Sequence, residues 1–371
     1  MLDPIVNFFT RVFQAIGRGI GFLIGILLWP FLWAGRWYTQ RGWILKTVLG
    51  LILLVIVGLY ANFFYATQVW NNFNPDYVQA YKLDSRNVSA GEQVTAGAGT
   101  DTTRTCGRSG MVEVTADLID FNVNQNAWIT SMLLYKLGLF GLDWDSTPFM
   151  DNKASFQRGI NEAVRRTAIE LADNLGRVRT TSQIDSNLQL SREQVQYGES
   201  IWYVSRNGMT APTPSVYRRA IGNLRTFNGK LEACQAVFDA RADNLKQYLD
   251  RVASALGSTS AILKDRAENY NYGFFDPRAD DRFWFAFGQL YAYYGLLKGA
   301  QADFEDVLKQ RNLGNLWNTM DAQFVAALRI QPWMIANSSE TGIFATHLTT
   351  MGFYVLRVRS NIVEISNVLS Q

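Results

Sequence analysis

One uninterrupted apolar stretch near the start of the chain limits what it can fold into more than any other feature. The stretch runs from Ile44 to Ala66, and beyond Lys46 no charged residue occurs before Asp76. Its twenty residues from Thr47 onward would form a helix of about 30 Å, which matches the hydrocarbon thickness of a bilayer. The sequence therefore predicts a transmembrane helix, followed by a polar body of about 300 residues that is large enough for a sizeable core.

The basic residues near this stretch predict its orientation. Residues 1–70 carry five Lys or Arg side chains against Asp3 alone, so the rest of a chain with net charge +3 is slightly acidic. The basic excess therefore belongs to the membrane segment and does not indicate a nucleic-acid surface. Basic flanks stay cytoplasmic, which places the N-terminus inside and the body in the periplasm of a bacterium. A belt of aromatic and basic residues is predicted to meet membrane lipid at this entrance: Trp29, Trp33, Trp37, Trp43, Arg36, Arg41 and Lys46.

The N-terminal region leaves two questions of topology open. A cleaved signal peptide competes with a permanent anchor, but the apolar core of a signal peptide has only about 7 to 15 residues. Residues 4–18 have the pattern of an amphipathic helix at the membrane interface. Residues 19–34 form an uncharged run containing Pro30, which is either an interfacial or re-entrant segment or a thin first span. We therefore predict a membrane segment at 1–43 and one transmembrane helix at 44–66.

Three glycines in the first segment recur every four residues. Gly17, Gly21 and Gly25 would lie on one side of a helix and would let a second helix approach closely, so they are a candidate assembly face. Glycine is also simply commoner in membrane helices than in soluble ones, which is the competing explanation.

The two cysteines lie far apart in the sequence. Residues 67–110 are predicted to be a linker and flexible loop, because the composition from Asp84 onward is rich in Ser, Thr and Gly. Cys106 lies in this loop and Cys234 in a predicted helix, so a disulfide between them would pin the loop to the core. The chain-entropy model assigns such a bridge about 4 to 5 kcal/mol, and the periplasm permits it. Two separate buried thiols are the alternative.

Residues 111–371 are predicted to form an all-α domain, a long antiparallel helical bundle. Helical periodicity marks Asp151–Leu175, Ser182–Val204, residues 279–312 and about Phe344–Leu369, whereas a short strand is predicted at Met111–Val114. From Ser215 to Leu256 apolar residues recur every seven positions, which predicts one continuous helix of about 60 Å in a coiled-coil arrangement. Its partner is either another helix of the chain or a second copy.

No catalytic motif occurs in the sequence. There is no phosphate-binding loop, dinucleotide turn or nucleophile elbow, and a lone His347 lacks companion ligands, so we predict no enzyme, no cofactor and no metal site. The pairs Asp143 with Asp145 and Asp280 with Asp281 are interpreted as helix starts. The best candidates for a small ligand site are polar and aromatic residues, namely Asn122, Asn124, Asn126, Trp128 and, in the aromatic helix 279–312, Tyr291. Helix capping and turn formation also explain the cluster from Asn122 to Trp128.

Several segments together resemble an uncharacterised family of bacterial inner-membrane proteins, known only as a domain of unknown function. The segments are LDPIVNFFTRVFQ, WPFLWAGRWYTQRGW, LIDFNVNQNAW, FDPRADDRFWFAFGQLYAYYGLL and GFYVLRVRSNIVEIS, and the resemblance runs over most of the chain. None is a catalytic signature. The resemblance implies an inner-membrane protein with a periplasmic domain, and it implies no activity, cofactor or site residue.

From the residues we expect a structural or scaffolding protein of the inner membrane that forms a homo-oligomer or binds other inner-membrane proteins. The heptad pattern, the spaced glycines and the interfacial helix favour it. The alternative is a periplasmic module that binds a lipid or cell-wall ligand, and an enzyme comes third.

Overall fold

The computed structural model describes residues 3–83, 90–93, 105–139, 141–147, 149–177, 183–205, 208–270, 276–338 and 342–371. The chain divides into two compact units, Met1–Asn62 and Phe63–Gln371. Most of the described residues are helical, as predicted. The helices are α1 Asp3–Thr39, α2 Trp43–Gln68, α3 Gly110–Asp120, α4 Leu133–Leu137, α5 Asn152–Glu170, α6 Ser186–Val195, α7 Thr213–Glu232, α8 Ala242–Asn269, α9 Ala279–Asp303, α10 Glu305–Gln310, α11 Gly314–Leu328 and α12 His347–Leu369. Two antiparallel hairpins pair β1 Gly91–Gln93 with β2 Thr105–Gly107, and β3 Val204–Ser205 with β4 Gly208–Met209.

Among the described residues, two helices are long and apolar enough to cross a membrane. These are the Arg11–Thr39 part of α1 and the whole of α2, of which residues 43–62 belong to the first unit and residues 63–68 to the second. The interfacial helix and the short uncharged run predicted before the span are a single helix, which continues through Pro30. Proline is tolerated inside membrane helices because the surroundings can satisfy the carbonyl that it frees. The prediction from the sequence therefore divided one long helix into two segments.

In the second unit one pair of central helices runs parallel, whereas an antiparallel bundle was predicted. Ser155 of α5 contacts Asp281 at the start of α9, and Gly159, one turn later, packs against the Phe285 carbonyl. A Cβ atom on Gly159 would lie 2.1 Å from that oxygen, so only glycine permits this approach. The parallel direction brings the N-termini of α5 and α9 together.

Other neighbours are antiparallel, as expected. Along α8 and α12, Asp250 pairs with Ser366 and Leu263 lies against Gly352. The helix α3 lies antiparallel to both α7 and α9, and α11 packs on α9 and α12. Each of these helices of the second unit therefore packs against another helix of the chain.

The prediction of one long coiled-coil helix from Ser215 to Leu256 is wrong, because the helix is interrupted between α7 and α8. Cys234 adopts the left-handed conformation, with φ of 57°, and the Asp239 amide donates to the Leu175 carbonyl at 2.7 Å. The residues spaced by seven are nevertheless buried on both sides of the break: Leu224, Leu231, Leu245 and Val252. The periodicity therefore reported burial and not helix continuity.

Three other boundaries differ from prediction. Residues 111–114 form the first turn of α3 and not a strand, because Asp303 of α9 accepts hydrogen bonds from the amides of Gly110 (2.7 Å) and Met111 (2.9 Å). The predicted helix 279–312 is interrupted at Phe304. The predicted helix 182–204 is limited to α6, and a β-hairpin follows it.

The range 67–110, predicted as linker and loop, is divided in the structure. Residues 67–83 pack into the core, where the Phe73 ring stacks on that of Tyr291 at 5.7 Å and the Tyr77 hydroxyl donates to the Tyr291 carbonyl at 2.9 Å. Residues 84–89 and 94–104 lie outside the described residues. The body of the protein therefore begins within α2.

Candidate functional site

The C-terminal end of α2 is built into the core of the second unit. The Phe63 side chain is fully buried, and its ring lies 4.9 Å from that of Trp144. Lys153 of α5 is almost fully buried, and its Nζ donates hydrogen bonds to the carbonyls of Ala66 (2.9 Å) and Val69 (2.6 Å). The last carbonyls of a helix lack intrahelical partners, so this ammonium group satisfies them and offsets the negative end of the helix dipole. We call this arrangement the helix-exit region.

Further polar contacts hold the chain where it leaves α2. The Gln68 side chain donates to the Phe149 carbonyl at 2.9 Å. The Asn126 side chain accepts from the Asn71 amide and donates to the Asn71 carbonyl, both at 3.0 Å. Burial lowers the pKa of Lys153 to about 8, although its two carbonyl partners suit the charged form. The segment after the helix is thus held by hydrogen bonds to several other parts of the domain.

Acidic side chains gather next to the helix-exit region, where α5 and α9 begin. Asp151 directly precedes α5, Asp281 lies in the first turn of α9, and Asp145 follows Trp144 in a short 3₁₀ turn. An oxygen atom from each of these three carboxylates lies within 4.8 Å of the other two. We call Asp145, Asp151 and Asp281 the carboxylate cluster. Its members converge because α5 and α9 run parallel.

The carboxylates differ in the partners that the protein gives them. The Tyr135 hydroxyl donates to Asp145 at 2.8 Å, and the Ser155 hydroxyl donates to Asp281 at 2.6 Å. Asp151 is 0% exposed, and neither of its carboxylate oxygens has a hydrogen-bond partner among the described residues. The same holds for Asp280, which is 4% exposed and adjoins the cluster. Two buried carboxyl groups therefore lack the donors that such groups normally have.

The electrostatics of the cluster disfavour ionised carboxylates. Burial, reinforced by the charges of Asp281 and Asp280, raises the pKa of Asp151 to about 10. Burial and the charge of Asp281 raise the pKa of Asp280 to about 8, and burial also raises the pKa of Asp281. Two unit charges separated by 4.8 Å repel each other by roughly 3 kcal/mol at an effective dielectric constant of about 20. Full ionisation of the site at neutral pH is therefore unfavourable unless positive charge lies close to it.

Two arginines supply part of the opposite charge. Arg158 and Arg282 both lower the pKa of Asp281, and the Arg158 guanidinium also lies over the Tyr135 ring, 5.7 Å from its centroid. Lys153 is directed elsewhere, to the carbonyls at the helix exit. Four carboxylates against two guanidinium groups leave an excess of negative charge at this site.

The sequence indicated the residues of this site but not their convergence. Asp280 and Asp281 do lie in the first turn of a helix, and Asp145 lies in a 3₁₀ turn, as the interpretation as helix starts implied. Asp151 was identified only as the beginning of an amphipathic helix. The available signal was that α5 and α9 both begin with acidic residues and that α5 carries a glycine on its packing face. The sequence could not show that these residues are buried or that the two helices run parallel, because both properties depend on tertiary packing.

The candidate ligand residues between 122 and 128 are engaged inside the protein. Asn122 is buried and donates to the Gln157 carbonyl, and Asn124 is exposed and receives a hydrogen bond from Arg218. Asn126 holds the segment after α2, as described above. The Trp128 indole is buried and donates to the Glu199 carbonyl at 2.6 Å. In the described structure these groups therefore serve turns and packing, and Asn124, Asn126 and Trp128 also line an open groove of about 450 Å³.

Tyr291 lies apart from that group, in an aromatic cluster of the core. Its side chain is 2% exposed. Its ring stacks on Tyr77 at 4.4 Å and on Phe73, and it meets Phe156 edge to face at 5.4 Å. Large rings beside the glycines of α9 thus fill the space between closely packed helices.

The membrane residues of the first unit are exposed. Trp29, Trp33 and Trp43 are between 61% and 77% exposed, and the Arg41 guanidinium lies over the Trp37 ring. Arg36 lies in the last turn of α1, and the Tyr38 hydroxyl donates to the carbonyl of Lys46. A Cβ atom built on any of the three spaced glycines meets nothing within 4 Å, so their face is open: Gly17, Gly21 and Gly25.

The cysteines and the single histidine have structural contacts. Cys106 of β2 and Cys234, which follows α7, form a disulfide with Cα atoms 5.5 Å apart. The bridge fastens the first hairpin to the break between α7 and α8.

The Nδ1 atom of His347 accepts a hydrogen bond from the Ala336 amide at 2.9 Å, and burial lowers the pKa of this imidazole.

Comparison with known proteins gives one match. A family profile described as "Uncharacterized protein conserved in bacteria (DUF2333)" matches residues 39–273 and 277–371. No curated protein and no solved structure matches the chain.

Proposed function

The chain belongs to this family of uncharacterised bacterial proteins, and from that premise we propose that it is a scaffolding protein of the inner membrane. In this proposal α2 crosses the membrane once, with the N-terminus in the cytoplasm and the second unit in the periplasm. The second unit then self-assembles or binds a larger membrane complex. The basic and tryptophan-rich residues before α2 support the orientation, and the disulfide suits an oxidising compartment.

The helix-exit region is the observation that carries this proposal. A protein that merely keeps an activity near a membrane can use a flexible linker between anchor and domain. Here the last turn of α2 is already part of the domain, with Phe63 in the core and Lys153 bonded to its terminal carbonyls. A domain whose first residues belong to its own anchor helix suits a scaffolding role.

The second unit also exposes apolar surface that suits a protein partner. Phe353 and Leu356, both on α12, are 54% and 49% exposed. A groove of about 600 Å³ between α8 and α12 is lined by Phe353 and Leu356 among others. Exposed apolar patches on soluble domains mark sites of interaction. This face is our candidate for the contact with another copy or with a partner protein.

Photo-crosslinking in native membranes tests the proposal. A photoreactive residue in place of Phe353 should yield a crosslink to a second copy or to another membrane protein. The same residue in place of the exposed Lys309 on α10 is the matched control and should yield none. If the full-length protein is a strict monomer in mild detergent and no crosslink forms at Phe353, the scaffolding role is wrong.

The number of spans is tested separately. If α1 also crosses the membrane, Met1 lies in the periplasm. Residues 40–42 lie in the cytoplasm both for the single span and for the two-span hairpin. Protease protection of an N-terminal tag in spheroplasts should show a cytoplasmic tag for the single span that we propose. A tag that is cleaved from outside would establish the two-span hairpin.

A periplasmic ligand-binding module is the second candidate function, and the apolar groove between α8 and α12 favours it. Mass spectrometry of the protein purified from native membranes should then detect a retained lipid or cell-wall fragment. Leu356→Lys should reduce its retention, whereas Leu190→Lys, at an equally exposed position on α6, should not.

A further inference from the structure

We propose that the carboxylate cluster of Asp145, Asp151 and Asp281 binds a divalent, oxygen-preferring cation of the Ca²⁺ and Mg²⁺ class. The inference is independent of the scaffolding role, because it concerns the chemistry of one site within the second unit.

The spacing of the three carboxylates suits such an ion. Their oxygens lie within 4.8 Å of one another. Oxygen ligands lie about 2.0 to 2.6 Å from Mg²⁺ or Ca²⁺, so ligands on opposite sides of one ion are separated by roughly 4 to 5 Å. One ion can therefore contact all three residues after small side-chain movements.

An independent observation points to a missing ligand. The Asp151 side chain is completely buried, its oxygens are among those that converge, and neither has a partner among the described residues. A buried carboxyl group is expected to be hydrogen-bonded, paired or bound to a metal. The side chains of Asp145 and Asp281 already have one hydroxyl donor each, and neither donor contacts Asp151. A cation between the three residues would give Asp151 the partner that it lacks.

The charge balance agrees with a divalent ion. Four aspartates gather here when Asp280 is included, and the guanidinium groups of Arg158 and Arg282 act on Asp281. If all are ionised, two negative charges remain. The ammonium group of Lys153 is two residues from Asp151 but is bonded to the carbonyls of α2, so it does not supply the missing charge.

The donor set selects the class of metal. Every member offers only carboxylate oxygen, which suits the hard cations Ca²⁺ and Mg²⁺, whereas zinc favours nitrogen and sulfur. The cysteines form a disulfide, and His347 Nδ1 accepts a backbone hydrogen bond. Asp145 and Asp281 are partly exposed, so water can complete the coordination shell from their side.

The position of the site indicates what the ion would do. Asp145 adjoins Trp144, whose ring packs on Phe63, and Asp151 precedes the helix that carries Lys153. A cation would join the 3₁₀ turn to the starts of α5 and α9. It would therefore stabilise the segments that surround the end of α2.

Calorimetric titration of the full-length protein tests the inference. The protein is purified in a non-ionic detergent without phosphate groups, stripped with a chelator and titrated with CaCl₂ or with MgCl₂. Saturable binding of one ion per chain is expected, with a melting temperature that rises with the concentration of the bound ion. NaCl at equal ionic strength should not reproduce that rise. The two titrations also establish which of the two cations the site prefers.

Variants locate the bound ion. Asp151→Asn should weaken binding by about tenfold or more, since even the loss of an outer-shell partner costs about 10- to 100-fold in metal affinity. Asp145→Asn should have a similar effect, and it decides the question if Asp151→Asn does not fold. Asp143→Asn, at an exposed position of the same loop, is the matched control and should bind as tightly as the wild type.

Two outcomes would overturn the inference. One is the lack of saturable binding of either cation up to millimolar concentration. The other is binding that Asp151→Asn and Asp145→Asn leave as tight as in the wild type, which would place the ion elsewhere.

Discussion

Two helix N-termini in this protein meet a buried carboxylate, and the protein treats them in opposite ways. At the start of α3, Asp303 is 5% exposed and accepts hydrogen bonds from the Ser109 hydroxyl (2.6 Å) and from two backbone amides. At the start of α5, Asp151 is fully buried and accepts no hydrogen bond from a described residue. The first group is a completed structural cap. The Asp151 carboxylate is as buried as a structural cap but lacks the hydrogen-bond donors of one, which is why we assign it a ligand.

The comparison also shows why location alone does not define a role. Helix N-termini favour negative charge in both places, because the first amides of a helix have no intrahelical acceptors. The difference comes from the neighbours: Asp303 faces donors, whereas Asp151 faces the carboxylates of Asp145, Asp280 and Asp281. Two of the predictions that follow alter one side of this comparison, and the other two examine Lys153 and His347, which are satisfied groups of another kind.

Removing the satisfied carboxylate should have the largest effect. Asp303→Ala leaves at least three buried donors at the start of α3 without an acceptor, and the free energy of unfolding should fall by about 3 to 5 kcal/mol. Denaturant unfolding of the full-length protein in detergent measures this change. Asp306→Ala, at an exposed position of α10, is the control and should change the stability by less than about 0.5 kcal/mol. Equal effects of the two substitutions would contradict the capping role.

Breaking the helix-exit region should come next. Lys153→Met keeps the length of the side chain but removes two charge-assisted hydrogen bonds to the end of α2, which should cost about 2 to 3 kcal/mol. Hydrogen exchange of the amides in residues 63–72 should accelerate. Lys136→Met changes an exposed lysine of α4 and should leave that exchange as it is. Unchanged exchange in Lys153→Met would show that the ammonium group does not hold the helix end.

Altering the unsatisfied carboxylate should stabilise the protein when no divalent cation is present. The pKa of Asp151 is raised in the folded state. At pH 7 the protein must therefore either take up a proton on folding or bury an Asp151 carboxylate that the neighbouring carboxylates repel. Asp151→Asn removes that cost, and the cation-free protein should gain about 1 to 2 kcal/mol at pH 7. The gain should vanish below about pH 4, where the unfolded carboxyl is also protonated. Chelator-treated samples at both pH values measure it, and a loss of stability at pH 7 would contradict the comparison.

The smallest effect concerns His347, a neutral group that has its partner. Burial lowers its pKa in the folded state, so its contribution to stability is complete above the unfolded value of about 6.5 and is lost as the pH falls through the folded value. His347→Asn can still accept from the Ala336 amide but cannot titrate. The difference in melting temperature between wild type and variant should therefore shift in favour of the variant from pH 7.5 to pH 5.5. A constant difference would exclude the histidine as a source of acid sensitivity.

The sequence predicted the helical class and much of the core because periodicity reports burial. Leu224 and Leu231 of α7 and Leu245 of α8 are fully buried, as their spacing indicated. The break at Cys234 was missed because the seven-residue spacing continues across it. What ends α7 is a left-handed residue in a disulfide, which connects parts of the chain that lie 128 residues apart.

The candidate site was less accessible to prediction. Local rules identified Asp280 and Asp281 as a helix start, which they are, and recognised the turn-forming character of the segment around Asn126. They could not show that α5 runs parallel to α9 or that the buried Asp151 carboxylate lacks a hydrogen-bond partner among the described residues, because both facts depend on the packing of distant segments. The sequence thus marked the residues of the site, and only the packed structure shows that they converge.

The position of Phe63 and of the carbonyls bonded to Lys153 has a practical consequence for anyone who wishes to produce the second unit alone. A soluble fragment that starts after the apolar helix, at Trp70, would leave an empty space beside Trp144 and a buried ammonium group without acceptors. Such a fragment should be poorly folded for reasons unrelated to the membrane. A fragment that starts near Asn62 retains the last turn of the helix, and with it the internal contacts that the domain requires.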